Sequence, residues 1–148
     1  MTQTTVHIVL GVALIVSSAA AGGWGAWRFY RVEPSQLFWR LLRVSQGAAA
    51  LVALDGALLL ALGREAPSLH LLYGFLPLAV SFIGEQLRIA SAETVLAARD
   101  LPDAAAVGTL TEEEQRSVVL AIVRREMGVM TAAALVVVVL GLRAAGWL

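Results

Sequence analysis

The sequence predicts an all-α protein: a four-transmembrane-helix bundle whose long third and fourth helices run on as a cytoplasmic helical hairpin. Three observations predict it. Of 148 residues, 59% are hydrophobic, and the mean hydropathy is +0.78, against roughly 45–50% apolar residues in an ordinary soluble domain. The excess falls in four blocks of roughly 20 residues, the length that crosses a ~30 Å hydrocarbon layer. Helix start and stop signals separate the blocks.

The first block, residues 5–27, is uncharged and rich in Ala, Gly and Val. The first residues, MTQTTVH, lack the positive charge of a secretory signal, and Arg28 and Arg31 follow the block instead. It therefore reads as a spanning helix rather than a cleaved leader. Pro34 stops its continuation, and Ser35 is suited to N-cap the next helix. Trp24, Trp27, Phe29, Tyr30, Phe38 and Trp39 crowd this turn and read as an aromatic belt at the headgroup level.

The second block spans residues 41–62. The turn GREAPS follows, with Gly63 as C-terminal cap and Pro67 ahead of the third helix. The third block, residues 69–89, carries His70, Tyr73, Gly74, Pro77, Ser81, Gly84 and Arg88 along one face, with Glu85 beside them. A polar stripe on a spanning helix calls for cover inside a bundle. No helix breaker occurs from there to Pro102, so a helix over 69–100 would be roughly 48 Å long, more than a membrane needs. Thr111 and Glu114 form a capping box at the start of the last helix, whose apolar part covers 126–143. The two overhangs, about residues 90–125, are expected to pair through Val95, Leu96, Val118, Val119 and Ile122, with 101–110 as their loop.

All eleven basic residues are Arg, balanced by eleven acidic ones, and the net charge is zero. That balance gives no electrostatic footprint for nucleic acid. Without Cys, disulfides, thiol catalysis and cysteine-ligated clusters are excluded. Nucleotide-binding glycine loops, HExxH and GxSxG are missing as well, so an enzyme is not expected. Nine Arg fall on the side of the 28–43 and 88–125 segments, while Arg64 and Arg143 fall on the other. The positive-inside rule then puts the Arg-rich side in the cytoplasm of a cytoplasmic-membrane protein, with both termini outside.

Polar residues at membrane depth mark the candidate sites. A hairpin turning near residue 65 brings Gln46 level with Glu85 and Arg43 level with Arg88, an ion-pair cluster at the inner end. Asp55 lies nearer the outer end, opposite the small-residue stripe Gln46, Ala49, Ala53, Ala57 and Ala61. It is expected to point inward and hydrogen-bond Tyr73. His7 and His70, the only two histidines, lie at similar depth near outer helix ends. Facing each other across a bundle, two neutral imidazoles with Tyr73 nearby can hold a b-type haem.

Over the second and third blocks, the pattern Arg43–x–x–Gln46 … Gly63 … Leu69–His70–x–x–Tyr73–Gly74 is similar to helix pairs in haem-containing bundles of the haem A synthase or cytochrome b561 type. The resemblance implies haem b with His70 as a ligand. Those families place several histidines on their bundle helices, whereas here only His7 completes a pair. The whole chain resembles small four-helix membrane proteins of high-GC bacteria, which implies the fold and no activity.

Three functional expectations follow. The first is a non-enzymatic accessory or interaction subunit, embedded in the lipid bilayer and contacting another membrane protein or a second copy of itself through the hairpin and the Ala-rich face. The second is a haem- or quinone-binding redox module using His70. The third is a small transporter or channel using Asp55 and Glu85.

Overall fold

The computed structural model describes residues 3–148. Among them the chain forms five helices: α1 (Gln3–Arg31), α2 (Gln36–Ala61), α3 (Ser68–Ala97), α4 (Ala104–Val107) and α5 (Glu112–Ala144). All but the single turn α4 are long and apolar enough to cross a membrane, as an integral, multi-pass membrane protein requires. At 1.5 Å per residue, α3 and α5 measure roughly 45 and 50 Å, well over a ~30 Å hydrocarbon layer. Their expected pairing is present: α3 packs along α5.

Local chemistry sets the helix ends. Ser35 caps α2, accepting the Phe38 N–H at 3.2 Å and the Trp24 indole N–H at 2.9 Å. Thr111 and Glu114 complete the capping box reciprocally. Gly63 turns the chain at φ 78°, where a side chain would be strained. The third helix stops at Ala97 rather than near residue 100, because Leu101 N–H bonds back to the Leu96 carbonyl and Asp100 takes the left-handed conformation at φ 55°. Asp103 then caps α4 through the Ala106 N–H, so the expected 101–110 loop contains one helical turn.

Helix α1 packs against α2 and α5, and α3 packs against α5; α2 and α3 touch much less. The bundle is thus a ring of antiparallel neighbours with one loose seam. Its tight side is built on small residues. Ser18, Ala21, Gly22 and Gly25 are the buried face of α1, and a Cβ on Gly22 would sit 2.6 Å from the Leu135 side chain. One core cluster joins Ala21, Phe38, Leu42, Met127, Met130 and Ala134; a second joins Leu14, Ala49, Val52 and Val137. Between them the Ser18 and Ser45 hydroxyls share a 2.7 Å hydrogen bond. The outward faces are apolar, with Val16, Leu54 and Phe82 all more than 60% exposed, as lipid contact demands rather than water.

Several packing expectations change. Phe38 is fully buried and belongs to the core, not to the aromatic belt; Tyr30 and Trp27 keep the exposed position. In the α3–α5 pairing Val118 is buried, but Val119 is half exposed because it lies 100° further round α5. The Ala stripe of α2 is divided: Ala49 and Ala53 are buried in the bundle, whereas Ala57 and Ala61 are exposed. The polar stripe of α3 does face inward, since Pro77 and Gly84 lie on it and are buried.

The Gly25 contact gives a direct test. A Cβ there would run into the Phe38 ring at 2.5 Å and into the Thr131 hydroxyl, while one on Gly23 meets nothing within 4 Å. Gly25→Ala should lower stability in detergent by about 1–3 kcal/mol through overpacking. Gly23→Ala should leave the melting temperature equal or higher. Thermal unfolding of the two variants side by side checks the packing of α1.

Candidate functional site

Two groups of polar residues lie at opposite ends of the bundle. At the Arg-rich end, Glu85 of α3 is the hub. Its Oε1 accepts the Gln46 amide at 2.8 Å and the Arg43 guanidinium at 2.5 Å; its Oε2 accepts Arg88 Nε at 2.9 Å. Arg43 also donates to the Gln46 amide oxygen at 2.6 Å. Arg88 extends the group to Glu126 of α5 at 3.7 Å and stacks its guanidinium 5.7 Å from the Trp39 ring centre. The predicted cluster of Arg43, Gln46, Glu85 and Arg88 is therefore brought together, with Arg43 meeting Glu85 directly. Arg124 of α5 turns instead to the Phe29 ring at 5.3 Å. Both oxygens of Glu85 are engaged, and this end joins α2, α3 and α5.

The other end is organised differently. Asp55 of α2 is reached by α1, not by Tyr73. Its Oδ2 accepts His7 Nδ1 at 3.0 Å and its Oδ1 accepts the Gln3 amide at 3.0 Å. Only about 10% of the Asp55 side chain is exposed. Tyr73 instead carries the Arg143 guanidinium over its ring at 5.8 Å. His70 of α3 engages the Ala144 carbonyl through Nδ1 at 2.9 Å. The His7 and His70 ring centres lie 6.0 Å apart, with the ring planes inclined at 54°.

Beside these rings the bundle opens into a cavity of about 670 Å³, lined by α1, α2, α3 and the end of α5. This is within the ordinary range of small-molecule sites. It lies beside the turn that joins α2 and α3, whose Arg64, Glu65 and Ala66 help line it. Four glycines form part of its wall: Gly141, packed against Ile15, and Gly11, Gly56 and Gly74. Gly11 and Gly74 have nothing within 4 Å of a would-be Cβ, and at Gly56 only the His7 ring comes near, at 3.5 Å. Gly11, Gly56 and Gly74 keep space open rather than permit close helix contact. Gly11 and Gly74 each follow a histidine by four residues, and Gly56 follows Asp55. That spacing is the sequence signal for the cavity. Gln3 and the Ala144 carbonyl are partners the sequence alone does not single out.

No known protein family, curated protein or solved structure matches the chain.

Removing the hub of the Arg-rich cluster should be felt. Glu85→Gln leaves Arg43 and Arg88 facing each other without their shared anion. With the site partly exposed, a loss of about 1–2 kcal/mol is expected in detergent unfolding. Arg43→Ala should cost less, since the Arg43 side chain is 54% exposed. High salt should narrow the gap between wild type and Glu85→Gln.

Proposed function

We propose that the chain is a non-enzymatic accessory subunit of the cytoplasmic membrane that holds a lipid-soluble molecule with a small polar head, of the quinone kind, at its extracytoplasmic end. The observation that carries this reading is the glycine-walled cavity of about 670 Å³ beside His7, Asp55 and His70. It combines an apolar lining with a few convergent polar groups, the usual make-up of a small-molecule site. Its position at the loose α2–α3 seam gives a route from the lipid. The Arg distribution supports an inward-facing Arg-rich end, with both termini and the cavity outside. The overlong α3–α5 pair then projects into the cytoplasm, where half-exposed Val119 and Ile89 offer apolar contact to a partner subunit.

A b-type haem is the other lipid-soluble occupant the same residues fit. Each imidazole has its Nδ1 engaged and no hydrogen bond at Nε2 among the described residues, and their spacing suits axial ligation. His7 and His70 would hold it, with Arg64 and Arg143 near the cavity to meet its propionates. Such a group supplies one-electron transfer when bound. The transporter reading has less behind it: Asp55 and Glu85 are each fully engaged. Asp55 also lies nine residues along α2 from Gln46, the partner of Glu85, roughly 14 Å away.

Filling the cavity tests the proposal. Gly74→Leu projects into open space, so the fold should keep its melting temperature. Solvent extracts of the purified wild type should contain a quinone or another lipid-soluble compound near one equivalent, and the Gly74→Leu extract should contain far less. Identical extracts from both proteins would contradict the assignment.

A further inference from the structure

We infer that His7 and His70 form a two-coordinate site for a single copper(I) ion. The first observation is the tautomer the structure imposes on both rings. His7 Nδ1 faces a carboxylate oxygen of Asp55 and His70 Nδ1 faces the Ala144 carbonyl oxygen. Both partners are acceptors, so Nδ1 donates on each ring, and on a neutral imidazole Nε2 is left with its lone pair. Imidazole ligands to metals are held in this way, with the second nitrogen bound to a carboxylate or a backbone carbonyl.

The second observation is the spacing. A metal–nitrogen bond of ~2 Å, with the ring centre ~1.1 Å behind the nitrogen, places two ring centres about 6.2 Å apart across a linear N–metal–N unit, and about 5.1 Å apart across a tetrahedral one. The rings here stand 6.0 Å apart, close to the linear value. The third observation is the poverty of further ligands. Among the described residues no group of three or more His, Cys, Asp and Glu side chains is placed to hold a metal. Zinc, which takes four tetrahedral ligands, is poorly served. A d¹⁰ copper(I) ion accepts two nitrogens in line, and imidazole is among the ligands copper favours. Asp55, fixed from its other oxygen by Gln3 at 3.0 Å, sets a negative charge behind His7 to balance the cation.

Among the described residues thioether sulfur does not compete. Met127 and Met130 are buried in the core cluster with Phe38 and Leu42, toward the Arg-rich end. Copper here needs no organic occupant in the cavity, so the two assignments fail separately: Gly74→Leu extracts report on one, metal titration on the other.

The test is an anaerobic titration of the full chain in detergent with copper(I) against a chromophoric copper(I) chelator, followed by X-ray absorption of the loaded protein. The expected result is one equivalent bound, with two nitrogen scatterers and no sulfur. His7→Asn and His70→Asn keep a side-chain N–H where Nδ1 donates, but remove Nε2. Each should keep the wild-type melting temperature and weaken copper at least 100-fold, and Asp55→Asn should weaken it on the order of 10- to 100-fold. Failure to bind copper, unchanged binding in the doubly substituted His7→Asn/His70→Asn protein, or a sulfur-containing coordination shell would each overturn the site. A Soret band that needs both histidines, in protein from haem-replete cells, would reassign the pair to haem iron and overturn it too.

Discussion

A polar side chain inside a hydrocarbon layer has no water to return to, and that constraint organises this bundle. Lipid tails are as apolar as the outward Val and Leu faces, so the hydrophobic effect does not choose between one helix register and another. Hydrogen bonds do. His7 with Asp55 and Ser18 with Ser45 fix α1 against α2 at two depths. Glu85 with Gln46 and Arg43 fixes α2 against α3. Arg88 with Glu126, and His70 with the Ala144 carbonyl, fix α3 against α5 from both ends. Close packing at Gly22 and Gly25 does the rest on the α1–α5 side, where small residues let backbones approach.

The same account explains where the cavity lies. The α2–α3 pair has little side-chain packing to hold it, and its polar connection is concentrated around Glu85 at the Arg-rich end. Toward the other end the short 62–67 turn joins the two helices, while their polar side chains go to other neighbours. Asp55 is committed to α1 and His70 to α5, so each polar group pulls its own helix away from the seam. The space that results is walled by glycine at residues 11, 56 and 74, and both histidines stand beside it. Structure and candidate function therefore share one cause: the pairing that satisfies Asp55 and His70 also opens the cavity and brings two imidazoles together.

The sequence disclosed the parts of this that depend on local signals. Four apolar blocks, the Thr111–Glu114 capping box and the inward polar stripe of α3 all follow from composition, periodicity and capping chemistry. The Glu85 cluster was also legible, because the GREAPS turn is short enough to fix which residues of α2 and α3 share a level. The partner of Asp55 was not. Matching levels across that same hairpin points to Tyr73, but consecutive helices need not be the best-packed ones, and the neighbour that reaches Asp55 is α1. Phe38 was misplaced for a similar reason. An aromatic residue near a helix end looks interfacial until the glycine it packs on, Gly25, is known to face it. The half-exposed Val119 marks the limit of assigning a pairing face from apolar character alone.

The central claim is that Asp55 and the Ala144 carbonyl each hold a histidine through Nδ1, leaving two Nε2 lone pairs beside the cavity. With only two histidines in the chain, nitrogen-15 spectra of histidine-labelled protein in detergent read this directly. In their neutral form, both rings should show a protonated Nδ1 and an unprotonated Nε2. Substituting Asp55→Ala should change one ring and leave the other. A protonated Nε2 on either ring in the wild type would contradict the arrangement on which the site rests.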